Sequence, residues 1–380
     1  METAPEGTPL YVHLPFCAAK CPYCDFFSVA EEGHDIDAMV EAILVEAEAR
    51  APRRPRTVFL GGGTPSLLSA KLLARLLDRL DELTDFRDSA EEVTAECNPE
   101  SLDTGKARAL LDLGVRRLSI GVQSLDDQIL DLFGRVHSAE QGLRAVEAAR
   151  EAGVEDLNVD LIYAAPGQTP EAWEAELDRV LSFEPDHLSA YNLTFEEDTL
   201  FKRWLDEGRI EKAPEEIELA CFQIARERTA AAGLSAYEIS NHARPGRECR
   251  HNVGYWLNQP YVGIGPSAVS KVGYERSGNV KGIGAYKRRV AQQGHAREWS
   301  EELPPDRRLA ETWWLGLRLT GGVDPAEARA TAGWTGPGDP ALDIARRLAE
   351  RGLVESSGCC WRLTAAGLPL ADGVAAEFLS

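Results

Sequence analysis

Short apolar segments alternate with amphipathic ones over the first two-thirds of the chain, and this rhythm restricts the fold more than any other feature. The apolar segments are Leu10–Leu14, Thr57–Leu60, Glu92–Glu96, Arg117–Gly121, Asp156–Ile162 and His187–Leu193. Between them alanine and leucine recur at helical spacing over Ile36–Arg50, Ala70–Leu83, Gly105–Leu113, Ala139–Ala152, Glu171–Leu181 and Glu215–Ala232. That spacing predicts helices with one buried stripe. Strand–helix alternation with glycine-rich turns implies a parallel sheet covered by helices. The expected class is α/β, and six such units could make an open, partial (β/α)6 barrel with its site in the loops at the strand C-termini. A doubly wound open sheet has the same one-dimensional pattern.

The rhythm breaks from Glu238 to about Gly294, a stretch rich in Gly, Asn, Tyr and Pro. It carries too many aromatics to be disordered and reads as strands and functional loops. Helical patterns resume over 306–319, 324–332 and 340–352, followed by a hairpin over Leu353–Leu363 and a last helix from Thr364. Two units are expected, 8–295 and 296–380, the second small and winged-helix-like. Such a shape often binds DNA, but a net charge of −21 without a basic stripe favours a packing role. Nucleic acid is not expected as a partner, because phosphate would be repelled over most of the surface.

Cys17, Cys21 and Cys24 stand in the spacing C-x3-C-x2-C, with Phe26 where a further cysteine would extend it. Three thiolates suit a [4Fe-4S] cluster that leaves one iron without a protein ligand. The competing reading is a structural zinc site with His13 as the fourth ligand. A disulfide framework is the weaker alternative, since Cys97, Cys221, Cys249, Cys359 and Cys360 are scattered. The opening Met-Glu-Thr-Ala-Pro-Glu has no basic or apolar leader region, and no apolar run is long enough to cross a bilayer. A reducing cytoplasm is the expected compartment. Of two arginine clusters, Arg50–Arg56 reads as a solvated face, while Arg244, Arg247 and Arg250 beside His251 are also suited to pair with carboxylates of an anionic ligand.

Polar residues recur at the ends of the strand candidates. Gly61-Gly62-Gly63-Thr64-Pro65 follows the second, Glu96 ends the third, Gln123 ends the fourth, and Asp160 interrupts the fifth. Arg135 lies in Gly-Arg-Val-His. The glycine run is neither a Walker loop nor a dinucleotide fingerprint. Carboxylates and amides at strand C-termini belong to the functional face of a barrel.

Together, the run Tyr11–Phe26, Gly-Gly-Gly-Thr-Pro, Glu-Cys-Asn-Pro, Gly-Val-Gln-Ser and Asp-Leu-Ile-Tyr resemble the radical S-adenosylmethionine superfamily. More narrowly they resemble the branch of oxygen-independent coproporphyrinogen III dehydrogenases and HemW-type haem chaperones. The likeness covers nearly the whole chain. It includes Glu311-Thr-Trp-Trp-Leu-Gly-Leu-Arg-Leu-Thr-Gly-Gly-Val, the branch's usual opening of the C-terminal domain. By resemblance, Cys17, Cys21 and Cys24 ligate iron. Tyr11, Gly62 and Glu96 contact the cluster-bound S-adenosylmethionine, with Val269 lining its adenine. Gly63, Thr64, Gln123, Arg135 and Asp160 match positions that hold a second S-adenosylmethionine in the dehydrogenases.

Two departures set the chain apart from the dehydrogenases: Phe26 replaces their last cysteine, and only ten residues precede Tyr11 where they carry a long closing segment. The chaperone signature H-N-x-x-Y-W is matched by His251, Asn252, Tyr255 and Trp256, residues that suit haem through an imidazole ligand and flat apolar surface. Gly263-Ile-Gly-Pro-Ser267-Ala-Val269 instead looks closer to the dehydrogenase version. The resemblance therefore implies a haem chaperone with a [4Fe-4S] cluster, S-adenosylmethionine and haem. Its partners are haem-acceptor proteins, membrane-associated respiratory enzymes among them, in the cytoplasm or at the membrane's inner face. The alternatives are a coproporphyrinogen dehydrogenase and a methylase-type radical enzyme. Turnover of S-adenosylmethionine and the oligomeric state stay open.

Overall fold

The computed structural model describes residues 4–379; Met1–Thr3, where the expected leader-free opening begins, and Ser380 lie outside them. Six parallel strands follow one another across one sheet: β1 (Leu10–Leu14), β2 (Thr57–Gly62), β3 (Glu92–Cys97), β4 (Arg117–Gln123), β5 (Asp156–Tyr163) and β6 (His187–Asn192). Each pairs in parallel with its predecessor. A doubly wound sheet reverses its strand order at a switch point; this sheet does not, so the partial barrel is the architecture. Val262–Ile264 adds in parallel outside β1, and Asn241–Ala243 adds antiparallel outside β6.

Local chemistry starts and stops the crossover helices where the periodicity does. Ser138 caps Ala139–Ala152 reciprocally with Gln141, and Gly153 ends it at φ 97°. Thr169 caps Pro170–Leu181, which opens on proline. The helices bury leucine, alanine and valine against the outer face of the sheet, and Trp173, fully buried, donates its indole N–H to the carbonyl of Cys221 at 3.0 Å. The inner face of the strands is polar, and this face is the site.

The first arginine cluster is not free. Arg50 pairs with the fully buried Glu46 at 2.8 Å, Arg53 with Asp85, Arg54 with Glu6 and Arg56 with Gln259. Glu46 also accepts from Gly265 N–H, Asn279 and Tyr286, tying the helix Ile36–Arg50 to the irregular stretch after Glu238.

Arg297–Glu302 pairs with Glu275–Asn279 in a three-stranded antiparallel sheet. The strand Arg297–Glu302 thus pairs back onto the stretch that follows Glu238. A second core forms from the helices Pro305–Gly316, Pro325–Ala332, Pro340–Glu350 and Ala371–Leu379 and the hairpin Val354–Ser357/Cys360–Leu363. Trp313 stacks on Phe378 at its centre. No described helix is long and apolar enough to cross a membrane.

Candidate functional site

The loop after β1 carries all three cysteines to the C-terminal end of the sheet. Phe16–Cys17 pairs with Val29–Ala30, and a turn closes from Cys24 N–H to the carbonyl of Cys21 at 3.2 Å. The three half-buried thiols line one cavity of about 930 Å³, together with Gly62, Gly63, Thr64, Glu96, Gln123, Arg135, Asp160 and Asn252. Phe26 stands at the same cavity, 69% exposed.

Three thiols on one loop at the cavity wall fit a [4Fe-4S] cluster. His13 is not available as a fourth ligand: it is buried, with Nε2 at 2.8 Å from the carbonyl of Phe27 and Nδ1 at 3.0 Å from the Tyr11 hydroxyl. Burial pushes Cys24 up to about 11 and raises Cys17 as well, although the Thr64 and Ser28 hydroxyls oppose it there. Metal loading must therefore displace thiol protons.

The glycine loop is shaped by the cysteine loop. Gly63 and Thr64 donate backbone N–H bonds to the carbonyls of Leu14 and Phe16, both at 2.7 Å. Gly62 adopts φ 98°, and a Cβ there would meet the His13 ring at 2.4 Å. A Cβ on Gly63 would fall 2.5 Å from the Phe16 carbonyl oxygen. Neither position accepts a side chain, and the loop's backbone stays at the cavity wall.

Glu96 accepts the Gly62 N–H at 3.0 Å. Burial and the nearby Asp160 push its carboxyl up to about 7. Asp160 accepts from Ser119 at 3.0 Å and Asn158 at 2.8 Å. Arg135 donates to the carbonyl of Gly121 and to Asn98, each at 2.8 Å, and lies 3.6 Å from Cys21 Sγ. Asn98 in turn donates to Thr64 at 2.9 Å. Gln123 sits at φ 68° beside a register shift in β4, the kind of bulge that re-aims a side chain next to a site.

Asn98, Ser119, Asn158 and Ser189 also line the cavity, and sequence reasoning passed over them. The signal was there: Glu96/Asn98, Ser119/Gly121/Gln123 and Asn158/Asp160 are period-two sets, which put one face of each strand toward the barrel interior.

Not every expected residue reaches this cavity. Tyr11 and Val269 are absent from its wall. The H-N-x-x-Y-W residues fall in the helix Arg250–Trp256, whose N-terminus is held by Glu92: the carboxylate accepts Arg250 N–H at 2.6 Å and His251 N–H at 3.2 Å. Thr57 and Glu92 begin β2 and β3, so this helix plugs the barrel at the end opposite the cysteines. Only Asn252 of the four faces the cavity. His251 is buried with both ring nitrogens engaged, Nδ1 with Thr57 Oγ1 at 2.8 Å and Nε2 with the Tyr255 hydroxyl at 2.9 Å. Burial lowers it to about 3, so it is a neutral imidazole. Trp256 lies under the Arg318 guanidinium, 4.7 Å from its ring centre. In this conformation His251 offers no free nitrogen to an iron. Arg250, from the second arginine cluster, pairs with Glu91 at 2.6 Å.

A family model described as the radical SAM superfamily matches residues 11–180. The chain is 33% identical over 373 residues to the heme chaperone HemW of Bacillus subtilis, spanning 97% of this chain and 98% of that one. It is 33% identical over 377 residues to the heme chaperone HemW of Mycobacterium tuberculosis strain H37Rv, spanning 97% and 94%. Among solved structures, the coproporphyrinogen III oxidase HemN of Escherichia coli, a radical SAM enzyme, superposes with a TM-score of 0.85 at 26% identity, over 98% of this chain and 90% of that one. The chain belongs to the radical SAM superfamily and, within it, to the HemW family.

Proposed function

We propose that this protein is a haem chaperone: it carries a [4Fe-4S] cluster on Cys17, Cys21 and Cys24, binds S-adenosylmethionine beside it, and binds haem for delivery to acceptor proteins. The observation that carries the reading is the H-N-x-x-Y-W helix seated against a cluster-type barrel, within a chain alike to HemW proteins over 97% of its length. When bound, the cluster supplies an electron and an open iron position. This chain's residues then bind and orient. Glu96 and Asp160 offer negative charge to a sulfonium ligand, the Gly62–Thr64 backbone keeps the wall open, and Arg135 holds the Cys21 side of the site.

Haem capture by His251 requires one of its hydrogen bonds to be given up. With Thr57 accepting from Nδ1–H, the lone pair is on Nε2, the atom now occupied by Tyr255. Breaking that bond and lifting Trp256 from Arg318 opens the motif to a flat apolar ligand. Haem-acceptor proteins, at the inner face of a membrane or in the cytoplasm, are the proposed recipients.

The fold likeness to HemN supports a dehydrogenase as the second reading. Anaerobic reconstitution with coproporphyrinogen III separates the two. Haem binding without oxidative decarboxylation supports the chaperone; stoichiometric conversion to protoporphyrinogen IX refutes it.

A further inference from the structure

Asp324, Cys359 and Cys360 converge at one corner of the C-terminal unit. Their ligand atoms lie within 4.8 Å of one another, the one such grouping of His, Cys, Asp and Glu among the described residues. Neighbouring residues of a strand point to opposite faces, so a Cys-Cys pair ordinarily keeps its sulfurs apart. Here Gly358, at φ 63°, reverses the hairpin. Cys359 stays in the turn, Cys360 begins the returning strand, and the two sulfurs lie 3.7 Å apart. That separation matches the edge of a tetrahedral zinc thiolate site, about 3.8 Å for a Zn–S bond of ~2.3 Å.

The third member is held in place by two elements. Asp324 caps the helix Pro325–Ala332, accepting Ala326 N–H at 2.7 Å, and its carboxylate also meets the Cys359 thiol. Next to it, Val323 and Trp361 exchange backbone hydrogen bonds at 2.7 and 2.8 Å, which registers the hairpin against the Asp324 segment.

We propose that Asp324, Cys359 and Cys360 bind one thiophilic divalent cation of the zinc class, separate from the barrel cysteines. Two sulfurs and one carboxylate oxygen disfavour magnesium and calcium, which take all-oxygen shells. Cys359 is exposed, so water has access to the fourth position. Binding forms two metal–sulfur bonds and one metal–oxygen bond, releases the two thiol protons to solvent, and changes no oxidation state. The residues leading into Asp324 include Arg318, whose guanidinium lies over the Trp256 ring, and Thr320, whose N–H donates to the carbonyl of Tyr237 at 2.9 Å.

The test titrates cluster-loaded protein anaerobically with Co2+, against a C359S/C360S variant that keeps every other cysteine. The expected result is one more Co2+ bound by the unaltered protein, with a thiolate-to-cobalt charge-transfer band that Zn2+ abolishes. Asp324→Asn should weaken binding at least about tenfold, and Cys359→Ser alone, at the exposed position, should lower the band. Equal Co2+ uptake by both proteins, or uptake without a thiolate band, overturns the proposal. So does a mass two hydrogens lighter under reducing conditions, which marks a disulfide at the pair. Equal unfolding midpoints of the two cluster-loaded proteins before Co2+ is added show that lost binding is not lost folding.

Discussion

Tyr255→Phe tests whether His251 is held in reserve for iron. The substitution removes one hydroxyl, 2.9 Å from His251 Nε2, and keeps the ring packed on Tyr261 at 4.6 Å. A buried acceptor left without its donor costs about 1–3 kcal/mol. That cost falls only on the closed, haem-free state, because a haem-ligated His251 has already given up the Tyr255 bond. Closed-state stability should therefore drop by about 1–3 kcal/mol, and haem affinity should rise by the same free energy, about 5- to 150-fold. Both are read on cluster-loaded protein, stability from denaturant midpoints and affinity from haem difference spectra. The comparison belongs at pH 8. His251 is lowered to about 3 by burial, against 6.5 for a free imidazole; its contribution to stability is present above pH 6.5 and is lost as pH falls toward 3. Haem affinity that stays the same while stability falls would refute the reserve argument. Lost haem binding would make Tyr255, and not His251, the ligand.

Glu96, raised to about 7, should give S-adenosylmethionine affinity a pH dependence. Its folded form binds a proton between about 4.5 and 7, which favours the ligand-free fold as pH falls. A cationic ligand prefers the ionised carboxylate, so affinity should fall by up to about tenfold per unit below pH 7. Calorimetry on Glu96→Gln should find weaker binding and no such slope. Asn98→Ala unties Arg135 from Thr64 and should lower stability by about 1–3 kcal/mol, with weaker S-adenosylmethionine binding measured on the same preparation. Gly62→Ala forces a side chain into φ 98° and against His13; the backbone strain alone costs about 1–3 kcal/mol, and iron and S-adenosylmethionine content after reconstitution should both fall. Glu46→Ala leaves Arg50, Asn279 and Tyr286 without their shared acceptor and should lower unfolding stability by about 3–5 kcal/mol.

Much of the barrel was legible along the chain because its signals are local. Ile36–Arg50 and Ala139–Ala152 are helices over the residues their periodicity marks. The apolar runs begin the strands at Leu10, Thr57, Glu92, Arg117, Asp156 and His187. Four strands run past Leu60, Glu96, Gly121 and Ile162, where glycine and polar residues look like turns when the sheet's partners are unseen. The pairing of Arg297–Glu302 is invisible along the chain for the same reason: its partner, Glu275–Asn279, is distant in sequence.

By itself the sequence determined the composition of the site: three thiols at a cluster spacing, a glycine loop, and carboxylates and an arginine at strand ends. Residue type and spacing are local facts, and they carry that chemistry without reference to the fold. Only the tertiary structure decided which residues meet. Strand order chose the barrel over the doubly wound sheet. The barrel's ends put the cysteines on one side and the H-N-x-x-Y-W helix on the other, with Asn252 facing the shared cavity and His251 locked between Thr57 and Tyr255. The hairpin turn at Gly358 brought Cys359 and Cys360 together beside Asp324. Each of these depends on pairings between distant segments, which no window along the chain contains.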